Sequence, residues 1–337
     1  MRRRLVTGLV ASSALALGLS GPAGAGTRVS GPVAHDNLAV YFVHGSGAEG
    51  AVPLSLEEAL AKGRVEVSET GTINELTVEN VGDDEVFVQA GDIVKGGRQD
   101  RVLSVDLLLP PHSGQVPIAA FCVEPGRWSA RGQEDPRQFS ASTAAMPLHE
   151  AKLTMRAAAF SSRADVAARQ AEIWAKVGEA QEQLSRSVGA PVAAAASPSS
   201  LQLSLESAKL KQAQAAYINA LQGAGESADD IVGYVFAING KITGGDVYAS
   251  SELSRKMWRK LLIANITEAI SENHEATASP PSIEDVQAFL TTTSNAPQSE
   301  RVLNTGIHPT TRDGDGSLYA EIKRSDGSWV HRNYLAR

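Results

Sequence analysis

Along the chain the spacing of apolar positions shifts between strand-like and helix-like, and each shift marks a change of element. Leu38 to Val43 is a β-rich run. Ser55 to Ala61 reads as a short helix, with Ser55 as N-cap and Glu57 and Glu58 in a first turn whose free amides favour negative charge. Val65 to Val67 returns to strand. From Glu75 to Val123 the pattern is densely β: Leu76 to Val81, Val86 to Gln89, Val102 to Leu109 and Val116 to Val123. The breaks between these runs, at Gly82-Asp83-Asp84, at Gly91 to Gly97 and at Pro110 to Gly114, have turn composition.

After Trp128 the period lengthens. Arg131 to Phe139 is a polar loop, and Arg163 to Val188 then places Val166, Ile173, Val177, Leu184 and Val188 on one helical face. Gly189-Ala190-Pro191 and the low-complexity run Ala193 to Ser200 link this helix to a second, from about Leu203 to Leu221, with Leu210, Ala213, Tyr217 and Leu221 in register. Together they predict an αα-hairpin packed on the sheet. Strand character resumes at Val232 to Ile238, turns at Asn239-Gly240 and passes through Lys241 to Asp246 into Val247-Tyr248. A helix from Ser251 to about Ile270 is expected to bury Leu253, Met257, Leu261 and Leu262, with Arg255, Lys256, Arg259 and Lys260 facing water. Past Thr277 the chain turns Pro-, Ser- and Thr-rich and ends in a hairpin around Ser325-Asp326-Gly327.

This order predicts an α+β fold: a mainly antiparallel β N-terminal half, an αα-hairpin insertion, then a β-hairpin plus helix. The expected divisions are a leader at 1–25 and a main domain at 32–275, β-rich over 32–128, helical over 147–222, and β plus helix over 231–272. A linker and C-terminal hairpin fill 276–337.

The first residues do not fit any of these elements. Arg2, Arg3 and Arg4, the apolar stretch Leu5 to Leu19 and Ala23-Gly24-Ala25 have the three parts of a cleavable secretory signal, and the apolar stretch is too short to span a bilayer. The expected location is therefore secreted or in the cell envelope, with no membrane span after cleavage. Without the leader, 28 basic residues face 38 acidic ones, a net charge near −10, which argues against nucleic acid or anionic lipid as the partner. The single Cys122 excludes an internal disulfide framework and, within an apolar run, reads as a small core side chain.

The densest candidate chemistry is Ala90-Gly91-Asp92-Ile93-Val94-Lys95-Gly96-Gly97-Arg98-Gln99-Asp100-Arg101, between two strands. Paired glycines reach positive φ, so successive amides converge into an anion-binding nest, to which Lys95, Arg98 and Arg101 bring charge. A second block ends in Glu124, Arg127 and Trp128, offering an acid or base, a guanidinium fork and a ring to stack on. The third, Gly244-Gly245-Asp246, echoes the first, so the two Gly-Gly segments are expected to face each other across a cleft. Ligand contacts are thus expected from Lys95, Gly96, Gly97, Arg98, Gln99, Arg101, Arg127, Trp128, Gly244, Gly245 and Asp246, and acid or base chemistry from Asp92, Asp100 or Glu124.

Familiar templates fail. Gly45-Ser46-Gly47-Ala48-Glu49-Gly50 has dinucleotide-fingerprint spacing, but Pro53 and a short helix follow it instead of a long one. Asp313, Asp315 and Ser317 alternate as in a calcium loop, but the required Gly and Glu are missing. No cofactor and no metal is implied.

The run from Val78 to Trp128, with its GGRQDR and FCVEPGRW segments, resembles the ARG and Rhodanese-Phosphatase-superfamily-associated Protein domain family, and VGYVFAINGKITGGDVYASSELSRKMWRKLL resembles that family's second half. The resemblance spans about Pro32 to Glu275. The family's name reflects genomic association with ADP-ribosylglycohydrolases and rhodanese-like phosphatases, which implies a link to ribosyl or phosphoryl metabolites; it assigns no catalytic residue. Three readings stand: an exported module binding an anionic or sugar-containing small molecule, a hydrolase of a ribosyl or phosphoryl compound, and a structural envelope protein.

Overall fold

The computed structural model describes residues 28–47, 50–156, 163–272, 278–299 and 310–337. The leader read at 1–25 and Ala48-Glu49 of the Gly-rich run lie outside the described residues.

β1 (Arg28–His35) and β2 (Leu38–His44) form a hairpin. After β3 (Leu54–Ser55), α1 (Leu56–Ala61) opens on a capping box: Ser55 Oγ accepts the Glu58 amide and the Glu58 carboxylate accepts the Ser55 amide. The β-rich block follows as β4 (Val65–Glu69), β5 (Glu75–Asn80), β6 (Val86–Val88), β7 (Asp92–Gly96), β8 (Arg101–Leu103), β9 (Leu107–Leu109), β10 (Gly114–Cys122) and β11 (Phe139–Ala145). These strands make a six-stranded antiparallel sheet, β11-β7-β8-β10-β5-β4, and a small sheet β3-β6-β9. The single strand expected over Val102 to Leu109 is two strands in different sheets. Between them the Asp106 side chain accepts the Ala90 amide at 2.7 Å, a local side-chain bond that competes with strand pairing.

The helical stretch comprises α2 (His149–Arg156), α3 (Arg163–Ser187), α4 (Leu201–Leu205) and α5 (Ala208–Leu221), so the second expected helix is interrupted where Ser207 turns extended. β12 (Ile231–Ile238) and β13 (Lys241–Tyr248) form a hairpin on Asn239-Gly240, both with positive φ, and α6 (Ser251–Ser271) follows. α7 (Ile283–Ser294), β14 (Gln298–Ser299), β15 (Thr310–Gly314), β16 (Ser317–Lys323) and β17 (Trp329–Ala336) complete the chain.

The larger sheet has eight strands, β1-β2-β12-β13-β17-β16-β15-β14, antiparallel throughout. The strands of the expected C-terminal hairpin belong to this sheet: β17 pairs directly with β13, setting Leu335 opposite Gly244 and Asn333 opposite Asp246. β2 and β12 are buried at every position. Helix α6 covers one face, while Val286 of α7 packs among Tyr41, Val235 and Tyr334 on the other, so their sequences are continuous apolar runs instead of alternations.

One core cluster joins both main sheets through the helices: Phe42, Tyr234 and Phe236 from the large sheet, Ile93 and Phe121 from the smaller, Ile173 and Val177 from α3, and Trp258 and Leu262 from α6. Trp258 is fully buried and stacks on Tyr234 at 4.4 Å, so its truncation to Ala is expected to cost about 3–5 kcal/mol. That packing anchors α6, the helix on which the site depends.

Candidate functional site

The hairpin joining β7 to β8 holds the GGRQDR run. Gly96 and Gly97 have φ of 119° and 53°, and a Cβ on Gly97 would stand 2.3 Å from the Phe139 ring, so glycine is required by both backbone and space. The expected nest of amides forms, and the protein's own carboxylates fill it. The Gly96 amide donates to Asp100 Oδ1 (2.9 Å), the Arg98 amide to Glu69 Oε1 (3.0 Å) and the Asp100 amide to Glu124 Oε2 (2.9 Å).

The guanidinium forks are taken up in the same way. Arg127 grips both oxygens of Glu124 at 2.6 Å, and Arg131, absent from the sequence-based set, grips both oxygens of Asp100 at 2.9 and 3.0 Å. The Asp100 and Glu124 side chains are wholly buried. Burial alone would raise the Asp100 carboxyl's pKa, but Arg131, the Ser200 hydroxyl and the Gly96 amide outweigh it and hold it below the usual carboxylate range. Gln99 donates to the Glu124 carbonyl, Arg101 is buried against the Gln99 carbonyl and Glu69, and Lys95 pairs with Glu206 at 2.7 Å. At the surface Trp128 is 44% exposed, with the Arg98 and Arg101 guanidiniums 5.4 and 5.8 Å from its ring centre.

A second polar assembly lies between the two main sheets and is walled by both glycine-rich segments of the sequence, through Gly91 and Asp92 on one side and Gly244 to Asp246 on the other. Gly244-Gly245 is not a loop here. It lies within β13, where a Cβ on Gly244 would come 2.5 Å from the Tyr334 carbonyl oxygen, so these glycines permit close approach of neighbouring strands. The segments that meet are thus Gly91-Asp92 and Gly244-Gly245-Asp246, while Gly96-Gly97 belongs to the closed hairpin.

Asp92 accepts the Gln89 amide on Oδ2 and pairs through Oδ1 with Lys260 Nζ at 2.7 Å. Lys260, expected to face water, is buried: it follows Met257 by three positions and Leu253 by seven, on the inward face of α6. Asp246 receives three donors on one oxygen, from Gln89 Nε2 (3.0 Å), His331 Nε2 (3.0 Å) and Asn333 Nδ2 (2.9 Å). Its Oδ2 has no donor among the described residues. Burial alone would lower the His331 pKa, but Asp106 and Asp246 on either side outweigh it and push it up to about 9, so the ring is a cation at neutral pH. The same pairing, with Arg156, holds Asp106 well below the usual carboxylate range against its burial.

Helix α2 supplies the remaining wall. Lys152 and Arg156 line the cavity, with His149, and Lys152 makes no ion pair among the described residues. Burial, reinforced by Lys152, pushes the His149 imidazole down to about 4, so this ring is neutral. The Glu268 carboxylate accepts the His149 amide at the head of α2, and burial pushes its pKa up to about 7. Cys122 is buried in β10 with its thiol pushed up to about 12 by burial, which leaves it unreactive.

The predicted residues therefore fall into two groups. Gly96, Gly97, Gln99, Asp100, Arg101, Glu124 and Arg127 make the closed network, with Arg98 and Trp128 outside it; Asp92, Gly244, Gly245 and Asp246 line the cavity. Among the described residues no cluster of three or more His, Cys, Asp or Glu side chains is arranged to hold a metal, and no helix is long and apolar enough to cross a membrane.

Fold and site together define an α+β domain with a carboxylate- and cation-lined cavity between two antiparallel sheets. The chain belongs to the family described as the ARG and Rhodanese-Phosphatase-superfamily-associated Protein domain, whose model matches residues 26–335. The match runs well past the Glu275 limit of the resemblance seen in the sequence and takes in the C-terminal strands that carry His331 and Asn333. No curated protein and no solved structure matches the chain.

Proposed function

We propose that the protein is an exported small-molecule-binding domain, and that its ligand is an anionic, hydroxyl-bearing compound such as a sugar phosphate, of which one polar end enters the cavity of about 50 Å³ between Gly91-Asp92 and Gly244-Gly245-Asp246. The observation that carries this reading is a pair of unfinished groups in one cavity: Asp246 leaves Oδ2 without a donor, and Lys152 makes no direct ion pair among the described residues, only feeling the charge of Glu268. A hydroxyl would satisfy the first and an anion the second. The family's genomic association with ribosyl and phosphoryl enzymes supports the same ligand class, and the leader at 1–25 supports an extracytoplasmic location.

Isothermal titration with ADP-ribose, sugar phosphates and cell-wall fragments tests the reading on wild type, Lys152→Ala and Arg98→Ala. Lys152→Ala is expected to lose the ligand and Arg98→Ala to keep it. The reverse pattern would return the site to the GGRQDR hairpin, and absence of heat with every compound would sink the binding reading.

A hydrolase is the second reading, and the free oxygen of Asp246 is what favours it, since a general base needs an unoccupied lone pair facing its substrate. Asp92 is occupied by Lys260, and Asp100 and Glu124 lie in the closed network, so Asp246→Asn is the variant that should abolish any turnover detected. Full activity in that variant would remove Asp246 as the base.

A further inference from the structure

A larger cavity, about 620 Å³, adjoins the first along α6, sharing Ala145, Lys260 and Ala264 with it, and lies between that helix, α5 and β11. Its α6 wall is formed by Lys256, Arg259, Lys260, Ile263, Ala264 and Thr267, a single face of the helix extending over three turns. The middle of the groove is apolar, with Ile263 facing Ile218 of α5 and Leu205 beside them. At one end Gln214 Nε2 donates to Thr267 Oγ1 at 2.9 Å and ties α5 to α6.

Four cations, Lys211, Lys256, Arg259 and Lys260, and two carboxylates, Glu57 and Glu206, line the groove; Lys256 is paired with Glu58 at 3.3 Å, Lys260 with Asp92 at 2.7 Å and Glu206 with Lys95. Arg259 donates to the neutral Gln222 side chain at 2.9 Å, and its charge meets no carboxylate among the described residues. Arg259 is thus a cation without a carboxylate partner among the described residues, beside an apolar trough of ligand-binding size.

We propose that this groove is a second binding site, adjoining the cavity at Asp246, and that its ligand is an anionic amphiphile: a carboxylate or phosphate head held by Arg259, with an unbranched apolar body lying between Ile218 and Ile263. Charge complementarity selects the head, and the apolar middle selects the body. Each methylene buried along the trough is expected to tighten binding by about fourfold.

Titration of the full chain with decanoate, decyl phosphate, decanol and inorganic phosphate, all below micelle-forming concentration, tests this assignment. Decanoate or decyl phosphate is expected to bind saturably, and decanol and inorganic phosphate about tenfold or more weakly. A preference between the two acids identifies the head. Arg259→Gln, at an exposed position, should weaken the acids about tenfold and leave decanol unchanged. Ala215→Trp, also exposed, should fill the groove and abolish binding of every amphiphile, while leaving sugar-phosphate binding and its dependence on Lys152 intact. Equal binding of decanol and decanoate would overturn the charged-head assignment, and no saturable binding of any amphiphile would overturn the site itself. Displacement of a sugar phosphate by decanoate in wild type and Ala215→Trp alike would place both in one cavity and overturn the claim of a second site, without touching the reading at Asp246.

Discussion

Two polar regions of this molecule are built from nearly the same residue types and have opposite characters. In the β7–β8 hairpin, glycine-nest amides and arginine forks converge as an anion site requires, but Asp100, Glu124 and Glu69 occupy every position an external anion would take. In the cavity beneath α6 the pairing stops short: Asp92 has Lys260, but Asp246 keeps a free oxygen and Lys152 makes no direct ion pair among the described residues. The contrast teaches that a glycine-and-arginine motif states only that anions are bound there. Whether the anion is a ligand or a side chain depends on whether the fold has already supplied it.

The largest expected effect tests the closed region. Asp100→Ala leaves Arg131 buried with its bidentate partner gone, and breaking such a buried pair costs about 3–5 kcal/mol. Equilibrium denaturation in urea should show this as a lowered midpoint. A loss under about 1 kcal/mol would mean the network is open to water and the contrast between the two regions is false.

The supports of the cavity should show themselves through pH. Glu268 has a folded-state pKa of about 7 against an ordinary 4.5, so the folded chain keeps a proton that the unfolded chain releases; its contribution is full below pH 4.5 and is lost as pH rises through 7. His331, at about 9 against 6.5, contributes fully below pH 6.5 and loses that contribution through pH 9. Each is worth about 3 kcal/mol across its window, and both decline in the same direction. Stability should therefore fall from mildly acidic to alkaline pH. Glu268→Gln should flatten the lower part of that slope and His331→Gln the upper part; an unchanged profile in either variant refutes that group's role.

A smaller effect is expected at Gly97. Alanine there would meet the Phe139 ring and hold a positive φ, a strain of about 1–3 kcal/mol, whereas Gly126→Ala, also at positive φ but in open space, should cost about 1 kcal/mol. Similar losses at both positions, read from thermal unfolding, would show that the hairpin is not clamped against β11.

Much of this architecture was legible in the chain. The α+β order, α3, the Asn239-Gly240 hairpin and the final hairpin follow from period and turn chemistry. β11 was missed because Phe139-Ser140-Ala141-Ser142 alternates small residues with little apolar contrast, and α7 because it sits in a Ser- and Thr-rich stretch, although Ser282 and Asp285 spell a capping box. Charge alone points Lys260 to water, whereas its register with Leu253 and Met257 places it inward. His331 and Asn333 could not be joined to the site by local reading, because pairing of β17 with β13 brings together residues far apart in sequence. In the hairpin the motif was visible, but its occupants Glu69 and Arg131 come from other elements.

The smallest effect on stability carries the most information about function. Lys152 is half-buried, lies on the short helix α2 and makes no ion pair among the described residues, so Lys152→Ala should change unfolding free energy by no more than about 0.5 kcal/mol. Ligand affinity should nonetheless fall by about tenfold or more, because the cation facing the cavity is gone. Asp100→Ala, assayed well below its lowered unfolding midpoint, should show the reverse: a large stability loss with near-normal affinity. Measuring urea midpoints and titration affinities on the same two proteins therefore separates a residue that holds the fold from one that holds a ligand. If both variants lost stability and affinity in parallel, the two polar regions would have to be one coupled unit.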